Sequence, residues 1–216
     1  MITPEREAKF RAVAARRQNN LTVILENVHD PHNIGAVLRT CDSVGVNEIF
    51  VLYSEEGLTM ENIRLGVRSA SGAHRWVDVH LYNSVEACFE HVRSNYDIIL
   101  ATHLDAEAKS IFEVDMTQSI ALLFGNEHAG VSEEALAHCD GNFIIPQMGM
   151  VQSLNISVAC AVTLYEALRQ RLAAGMFDKH LPMSPAEQEA LYQSYYQRHV
   201  DKDKRKSFKA KDWGIG

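Results

Sequence analysis

Short, unbroken apolar runs restrict this chain more than any other feature of its sequence. "LTVILE" (21–26), "EIFVLY" (48–53), "YDIILAT" (96–102), "SIALLFG" (119–125) and "NFIIP" (142–146) have strand length and are rich in β-branched or large apolar residues. "RWVDVHLY" (75–82) reads as a further strand. A strand with one face in water alternates apolar and polar residues, whereas a continuous run has both faces covered. Helical patterns separate the runs, over 4–19, 33–44, 84–95, Ser132–His138, and from Ser153 to about Ala174. Strands alternating with helices predict an α/β fold, with a mainly parallel sheet and helices on both faces.

Ligands on such sheets sit beyond the carboxyl ends of the strands. Three strand ends carry polar loops, 26–33, 125–131 and 146–155, and "ATHLD" after residue 100 is a weaker fourth. In helix 33–44 the residues Ile34, Val37, Leu38, Cys41 and Val44 form one apolar face, with Asn33 expected as N-cap and Gly45 as the stop. Gly35, Ala36 and Ser43 surround Arg39 away from that face. Small residues beside a guanidinium let a phosphate or sugar approach, although a solvated arginine fits the same pattern. "LLFGNEHAGVS" (122–132) sets Gly125, Asn126, Glu127 and Gly130 directly after a strand. No lysine follows its second glycine and no GxGxxG follows the first strand, which excludes a Walker loop and the usual dinucleotide site. "PQMGMVQSLNIS" (146–157) brings Gln152, Ser153, Asn155 and Ser157 to the mouth of a mostly apolar helix. Capping needs one of them, with Ser153 the expected cap and Asn155 in the first turn; the surplus points to a ligand.

A length of 216 residues, 46% of them hydrophobic, suits one domain with modest extensions. The expected divisions are a basic helical extension over 1–20, a catalytic domain over 21–175, and a polar C-terminal extension over 176–216. Pro182 and Pro185 mark the last, with a helix at 184–200. No run has transmembrane length and the charged N-terminus lacks a signal core, so a cytoplasmic protein without membrane contact is expected. Cys41, Cys88, Cys139 and Cys160 are scattered, and the ten histidines show no ligand spacing, so no metal is expected. The net charge of −7 is unevenly spread: residues 1–20 carry +3, 198–212 carry +4, and the body between them −14. Basic ends can contact phosphate even on an acidic protein, or can simply be solvated.

Three segments taken together, "ENVHDPHNIGAVLRTCDSVGV" (26–46), "ALLFGNEHAGVSEEAL" (121–136) and "IIPQMGMVQSLNISVACAVTLYEALRQRL" (144–172), resemble the three motifs of the SpoU branch of the SPOUT RNA methyltransferases. The likeness is greatest to the tRNA (guanosine 18) 2′-O-methyltransferase group and spans about residues 1–180, with Gln147 departing from the motif outside its Ser-Leu-Asn core. The resemblance implies a C-terminal trefoil knot, a homodimer, S-adenosyl-L-methionine as cofactor, and methylation of guanosine 18 of tRNA. Another tRNA nucleotide or ribosomal RNA remains an alternative, as does a non-catalytic RNA-binding module. It also implies a catalytic set of Arg39, Asn33, Glu127, Ser153 and Asn155, and a cofactor pocket lined by Thr102, Gly125, Ile145 and Leu154. Arg39 would act on the ribose either as a base or as a cation that stabilises the alkoxide. The basic ends then become the expected grip on tRNA, through Arg6, Lys9, Arg11, Arg16 and Arg17 and through Arg198, Lys202, Lys204, Arg205, Lys206, Lys209 and Lys211.

Overall fold

The computed structural model describes residues 2–55, 72–105, 107–126 and 128–200. The elements run α1 (Pro4–Ala14), β1 (Leu21–Glu26), α2 (Pro31–Val44), β2 (Glu48–Leu52), a 3₁₀ turn (Ala73–Arg75), β3 (Asp78–Tyr82), α3 (Val85–Asn95), β4 (Ile98–Thr102), β5 (Lys109–Ser110), β6 (Ile120–Phe124), α4 (Glu133–Leu136), β7 (Gly141–Ile144), α5 (Ile156–Ala173) and α6 (Pro185–Val200). The strands form one seven-stranded sheet in the order β3-β2-β1-β6-β4-β7-β5. Every strand pair in it is parallel.

The continuous apolar runs take the central places. All residues of β1 and of β6 are buried. On one face Val23, Leu25, Leu122 and Phe124 pack under Ile34, Val37 and Cys41 of α2 and Cys160 and Leu164 of α5. On the other, Ile24, Phe50 and Leu123 pack under Cys88, Phe89 and Val92 of α3 and Ala135 of α4. Two-sided cover is what a parallel sheet requires, and the side chains of both layers are excluded from water. β5 was not legible in the sequence: it is a two-residue edge strand, Lys109 and Ser110, with no apolar pattern.

The helix termini differ from expectation in instructive ways. The cap of α2 is Asp30, whose Oδ1 accepts from His32 N at 2.8 Å, and Pro31 follows at the first helical position. Asn33 therefore lies inside the first turn and its side chain is released from capping. Gly45 ends α2 with φ of 89°, and a Cβ there would lie 2.8 Å from the Arg16 carbonyl oxygen. α1 ends at Ala14 rather than running to residue 19, because Gln18 pairs as a β-bridge with Val46. α6 opens with a capping box: Glu187 N donates to Ser184 Oγ at 3.3 Å, and Ser184 N to Glu187 Oε2 at 2.7 Å.

Two buried arginines lock the periphery onto the sheet. Arg171, near the end of α5, is fully buried. Its guanidinium donates to the carbonyl of Met116 at 2.8 Å, Gln18 Oε1 at 3.1 Å, Asn20 Oδ1 at 2.5 Å, the Asn20 carbonyl at 3.1 Å and the Gln118 carbonyl at 2.7 Å. These acceptors precede β1 and β6, so α5 is tied to the amino-terminal edge of the sheet. Burial pushes the Arg171 pKa down to about 10, which leaves it cationic at neutral pH.

Arg17 is 1% exposed and corrects an expectation: it does not reach RNA. It donates to Tyr195 Oη at 2.8 Å, the Val46 carbonyl at 2.9 Å, Asp42 Oδ1 at 2.5 Å and the Trp76 carbonyl at 3.1 Å. Burial opposes its charge, but Tyr195 and Asp42 outweigh that cost and hold the guanidinium above its ordinary pKa. Around it α1 packs on α6 through Phe10, Ala14, Leu191, Tyr192 and Tyr195.

Replacing Arg171 by Met leaves its buried carbonyl acceptors unpaired. The expected loss of unfolding free energy is at least about 3 kcal/mol in urea titration. Arg171→Lys is expected to recover only part of it, since an ammonium offers three donors rather than five. A loss under about 1 kcal/mol for Arg171→Met would remove the clamp from the account of the fold.

Candidate functional site

All strands being parallel, their carboxyl ends share one edge, and the polar loops converge there. The loop after β6 is folded tightly on itself. Asn126 N donates to the Gly130 carbonyl and Gly130 N to the Asn126 carbonyl, both at 2.9 Å. Asn126 Oδ1 accepts from His128 N at 2.7 Å and Ala129 N at 3.0 Å, while its Nδ2 donates to the Asn27 carbonyl at 2.8 Å. A Cβ on Gly125 would lie 2.2 Å from the carbonyl carbon and oxygen of Gly130, so only glycine fits where the loop closes.

The loop after β1 is held as firmly. Asn27 has a positive φ of 51°, and its Oδ1 accepts from Ser54 N at 2.9 Å. Glu26, almost fully buried, accepts from Ser132 N at 3.0 Å and Ser132 Oγ at 2.5 Å. These bonds fix the loops after β1 and β6 against each other before any ligand arrives.

The third loop joins them through α5. Asn155, not Ser153, is the cap: its Oδ1 accepts from Ser157 N at 2.9 Å and from Ser157 Oγ at 2.6 Å. Its Nδ2 then donates to Asn33 Oδ1 at 3.2 Å. One bond thus links the first and third motifs, 122 residues apart in sequence. Ser153 is exposed on the loop just before this junction. Glu127, Lys202, Lys204, Arg205, Lys206, Lys209 and Lys211 lie outside the described residues.

Thr102, Gly125 and Ile145 stand at or just beyond the ends of the adjacent strands β4, β6 and β7, and all three are partly buried. Thr102 Oγ1 donates to the Leu123 carbonyl at 3.2 Å, which ties the two strand ends together. Leu154, partly buried, precedes the Asn155 cap. The group combines apolar side chains with peptide edges, a surface suited to a flat heterocycle and an aliphatic chain. Met148, Met150 and Val151 in the intervening loop are exposed.

Arg39 makes no hydrogen bond to Asn33 or Asn155. It lies on the exposed face of α2 with Ala36 and Ser43, and lines a cleft of about 350 Å³ together with Arg6, Asp42, Arg75 and Trp76. The guanidinium of Arg39 makes no hydrogen bond or ion pair with a described residue. Of the other basic residues expected to grip RNA, Arg6, Lys9 and Arg16 are exposed. Arg11 is committed to Glu189 at 2.7 Å and Glu7 at 3.3 Å, and lies 3.7 Å over the Tyr192 ring. Arg198 is paired with Asp78 at 2.7 Å. Arg75 and Trp76, read from the sequence as the start of a strand, lie instead at the end of the 3₁₀ turn and just after it, with the strand beginning at Asp78.

The chain matches the model of the SpoU rRNA Methylase family over residues 20–165. It is 46% identical over 177 residues to the tRNA (guanosine(18)-2'-O)-methyltransferase of Thermus thermophilus, a match covering 82% of this chain and 89% of that protein. Its fold superposes with a TM-score of 0.77 on the crystal structure of the Aquifex aeolicus TrmH/SpoU tRNA modifying enzyme, at 34% identity, covering 92% of this chain and 98% of that one. The SpoU methyltransferase AviRb from Streptomyces viridochromogenes, in complex with the cofactor AdoMet, aligns with a TM-score of 0.64 at 28% identity, covering 73% of this chain and 62% of that one.

Gly125→Ala tests the closed loop. The new methyl group meets backbone, so the Asn126–Gly130 pair is expected to open, with hydrogen exchange at both amides faster by at least about tenfold. Gly149→Ala, where a Cβ meets nothing within 4 Å, is the control and should leave both amides unchanged. Retained protection in Gly125→Ala would show that the loop is not held by this contact.

Proposed function

The chain belongs to the SpoU methylase family, and on that premise we propose that it methylates the 2′-hydroxyl of a ribose in RNA, at guanosine 18 of tRNA. The observation that carries the proposal is the Asn155–Asn33 bond, which unites the family's first and third motifs at the open edge of the sheet. Work on tRNA goes with a cytoplasmic location.

S-adenosyl-L-methionine supplies the methyl group, on a sulfonium centre. Thr102, Gly125, Ile145 and Leu154 would hold it, and their mixture of apolar surface and peptide edge fits that molecule. A ribose hydroxyl is a weak nucleophile at neutral pH, so the chain's task is to align its oxygen and stabilise the charge that develops there. In this reading Asn33 and Asn155, each fixed by the other, orient the sugar, and Ser153 on the same loop adds a hydroxyl. Glu127 takes its place in the set from the second motif. Arg39 acts as a cation. Its guanidinium pairs with no described residue, and its planar donors suit the oxygens of an alkoxide or a phosphate. The trefoil threading of the loops after β6 and β7, which family membership implies, is part of this proposal.

A homodimer belongs to the proposal. Val158, Val162, Tyr165 and Leu172 form one exposed apolar stripe along α5. Tyr165 Oη lies 3.4 Å from Ser43 Oγ, so the stripe adjoins the face of α2 that carries Arg39. A second copy covering it would bring its own chain next to that arginine.

The test is transfer of labelled methyl groups from S-adenosyl-L-methionine to unmodified tRNA, followed by mapping. Label in 2′-O-methylguanosine at position 18 is expected; label elsewhere would move the substrate, and no transfer to any RNA would end the proposal. Arg39→Lys is expected to lower kcat by about 10²–10³, and near-normal turnover would remove the guanidinium's role. Light scattering should give a dimer for the native chain and a monomer for Val162→Asp. A native monomer that is fully active would exclude the shared arrangement.

A further inference from the structure

Glu26 is the ionisable residue of β1, a strand with both faces covered, and it is 1% exposed. By the alternation of a strand its side chain shares the face of Ile24, where Cys88, Phe89, Val131 and Ala135 pack. Burial, and after it this carboxyl, push the Cys88 thiol up to about 12, which places the two groups near each other. Among the described residues the Glu26 carboxyl bonds to Ser132 alone, accepting from its N at 3.0 Å and its Oγ at 2.5 Å. A carboxyl buried without a cation costs stability that an apolar side chain would not. The sheet gains nothing from such a group, and its effect is on Ser132.

Ser132 ends the loop that leaves β6 at Gly125. Two bonds to one residue fix both its peptide plane and its side-chain rotamer. Ser132 Oγ in turn accepts from Ala135 N at 3.1 Å as the cap of α4. The start of the same loop is held by the next residue of the chain, since the Asn27 carbonyl accepts from Asn126 Nδ2 at 2.8 Å. Consecutive residues, Glu26 and Asn27, thus grip the two ends of one loop, and the Asn126–Gly130 pair closes its middle. The return leg lies directly against Gly125, where a Cβ would meet the Gly130 carbonyl and Val131 N. The position of Ser132 therefore sets the surface that Gly125 presents at the end of β6.

We infer that Glu26 is a positioning residue for the methyl donor: by fixing Ser132 it holds the return leg against Gly125 and so shapes the wall on which S-adenosyl-L-methionine rests. The inference rests on the RNA methyltransferase reading. Glu26 itself is enclosed and touches neither cofactor nor RNA.

Calorimetric titration of S-adenosyl-L-methionine into the full-length protein, without RNA, tests it. Glu26→Gln keeps the shape but turns an amide donor toward the donors of Ser132, and Ser132→Ala removes the hydroxyl. Each is expected to weaken cofactor binding about 5- to 20-fold. Ser132→Thr keeps an Oγ and should bind within about twofold of native. The double variant of Glu26→Gln with Ser132→Ala should lose little more than either single one, because both break one contact. KM for the cofactor should rise by a similar factor, with kcat within about threefold of native and tRNA affinity unchanged. In ligand-free Glu26→Gln the Gly130 amide should exchange at least about tenfold faster, while the amides of β6 stay protected and the urea midpoint stays within about 0.5 M of native. General destabilisation would not give that combination. Native cofactor affinity in Glu26→Gln would overturn the inference. So would equal affinity in Ser132→Ala and Ser132→Thr, a comparison that decides the matter should Glu26→Gln fail to fold. A native protein that binds no S-adenosyl-L-methionine sinks the methyltransferase reading; one that binds it no better than Glu26→Gln does sinks the positioning role alone.

Discussion

A parallel sheet buried on both faces leaves only its edges for chemistry, and that constraint organises the rest of the molecule. β1 and β6 expose no side chain to solvent, so polar groups gather where the strands begin and end. At the beginning, Arg171 fills the edge and satisfies the carbonyls of Met116, Asn20 and Gln118. At the end no comparable cation is buried among the described residues, and the asparagines take over. Asn27, Asn126, Asn33 and Asn155 bond to one another or to one another's backbone. An amide can donate and accept at once, which lets loops from distant parts of the sequence join beside the buried Glu26 carboxyl.

The arginines divide by surroundings rather than by sequence. Arg17 and Arg171 are enclosed and saturated with acceptors, and they act as struts. Arg6, Arg39 and Arg75 line one cleft, and their guanidinia bond to no described residue. Charge tallies could not have separated these groups. Arg17 sits in a basic stretch with Arg16, yet one faces solvent and the other the core, because the chain leaves α1 at Ala14 and turns inward to pair Gln18 with Val46.

Legibility in the sequence followed the strength of the local physical signal. The apolar runs identified the central strands because burial on both faces allows nothing else there. Gly45 was readable as a helix stop because a positive φ has few candidates. Asn33 was misread as a cap: Asp30 followed by Pro31 is the stronger start, and what Asn33 does depends on Asn155, which is distant in sequence. The same holds for Ser153, displaced as cap by an asparagine two residues later. β5 carries no pattern at all. The site residues were named through motif resemblance, since no periodicity foretells which strand ends will be neighbours in a sheet ordered β3-β2-β1-β6-β4-β7-β5.

The N- and C-terminal helices are usefully regarded as part of the site's wall. Phe10 of α1 and Tyr195 of α6 both pack on Trp76, and Trp76 lines the cleft that holds Arg39. Arg17 bonds to Tyr195, to Asp42 of α2 and to the Trp76 carbonyl, so it connects the paired helices to the helix bearing Arg39. A chain with an acidic body thereby gathers arginines that pair with no described residue in one place, and that place is set by the packing of the elements that carry them. Long-range attraction of a polyanion needs only local excess charge. Orientation of that polyanion needs a rigid frame, and the aromatic cluster around Trp76 provides one.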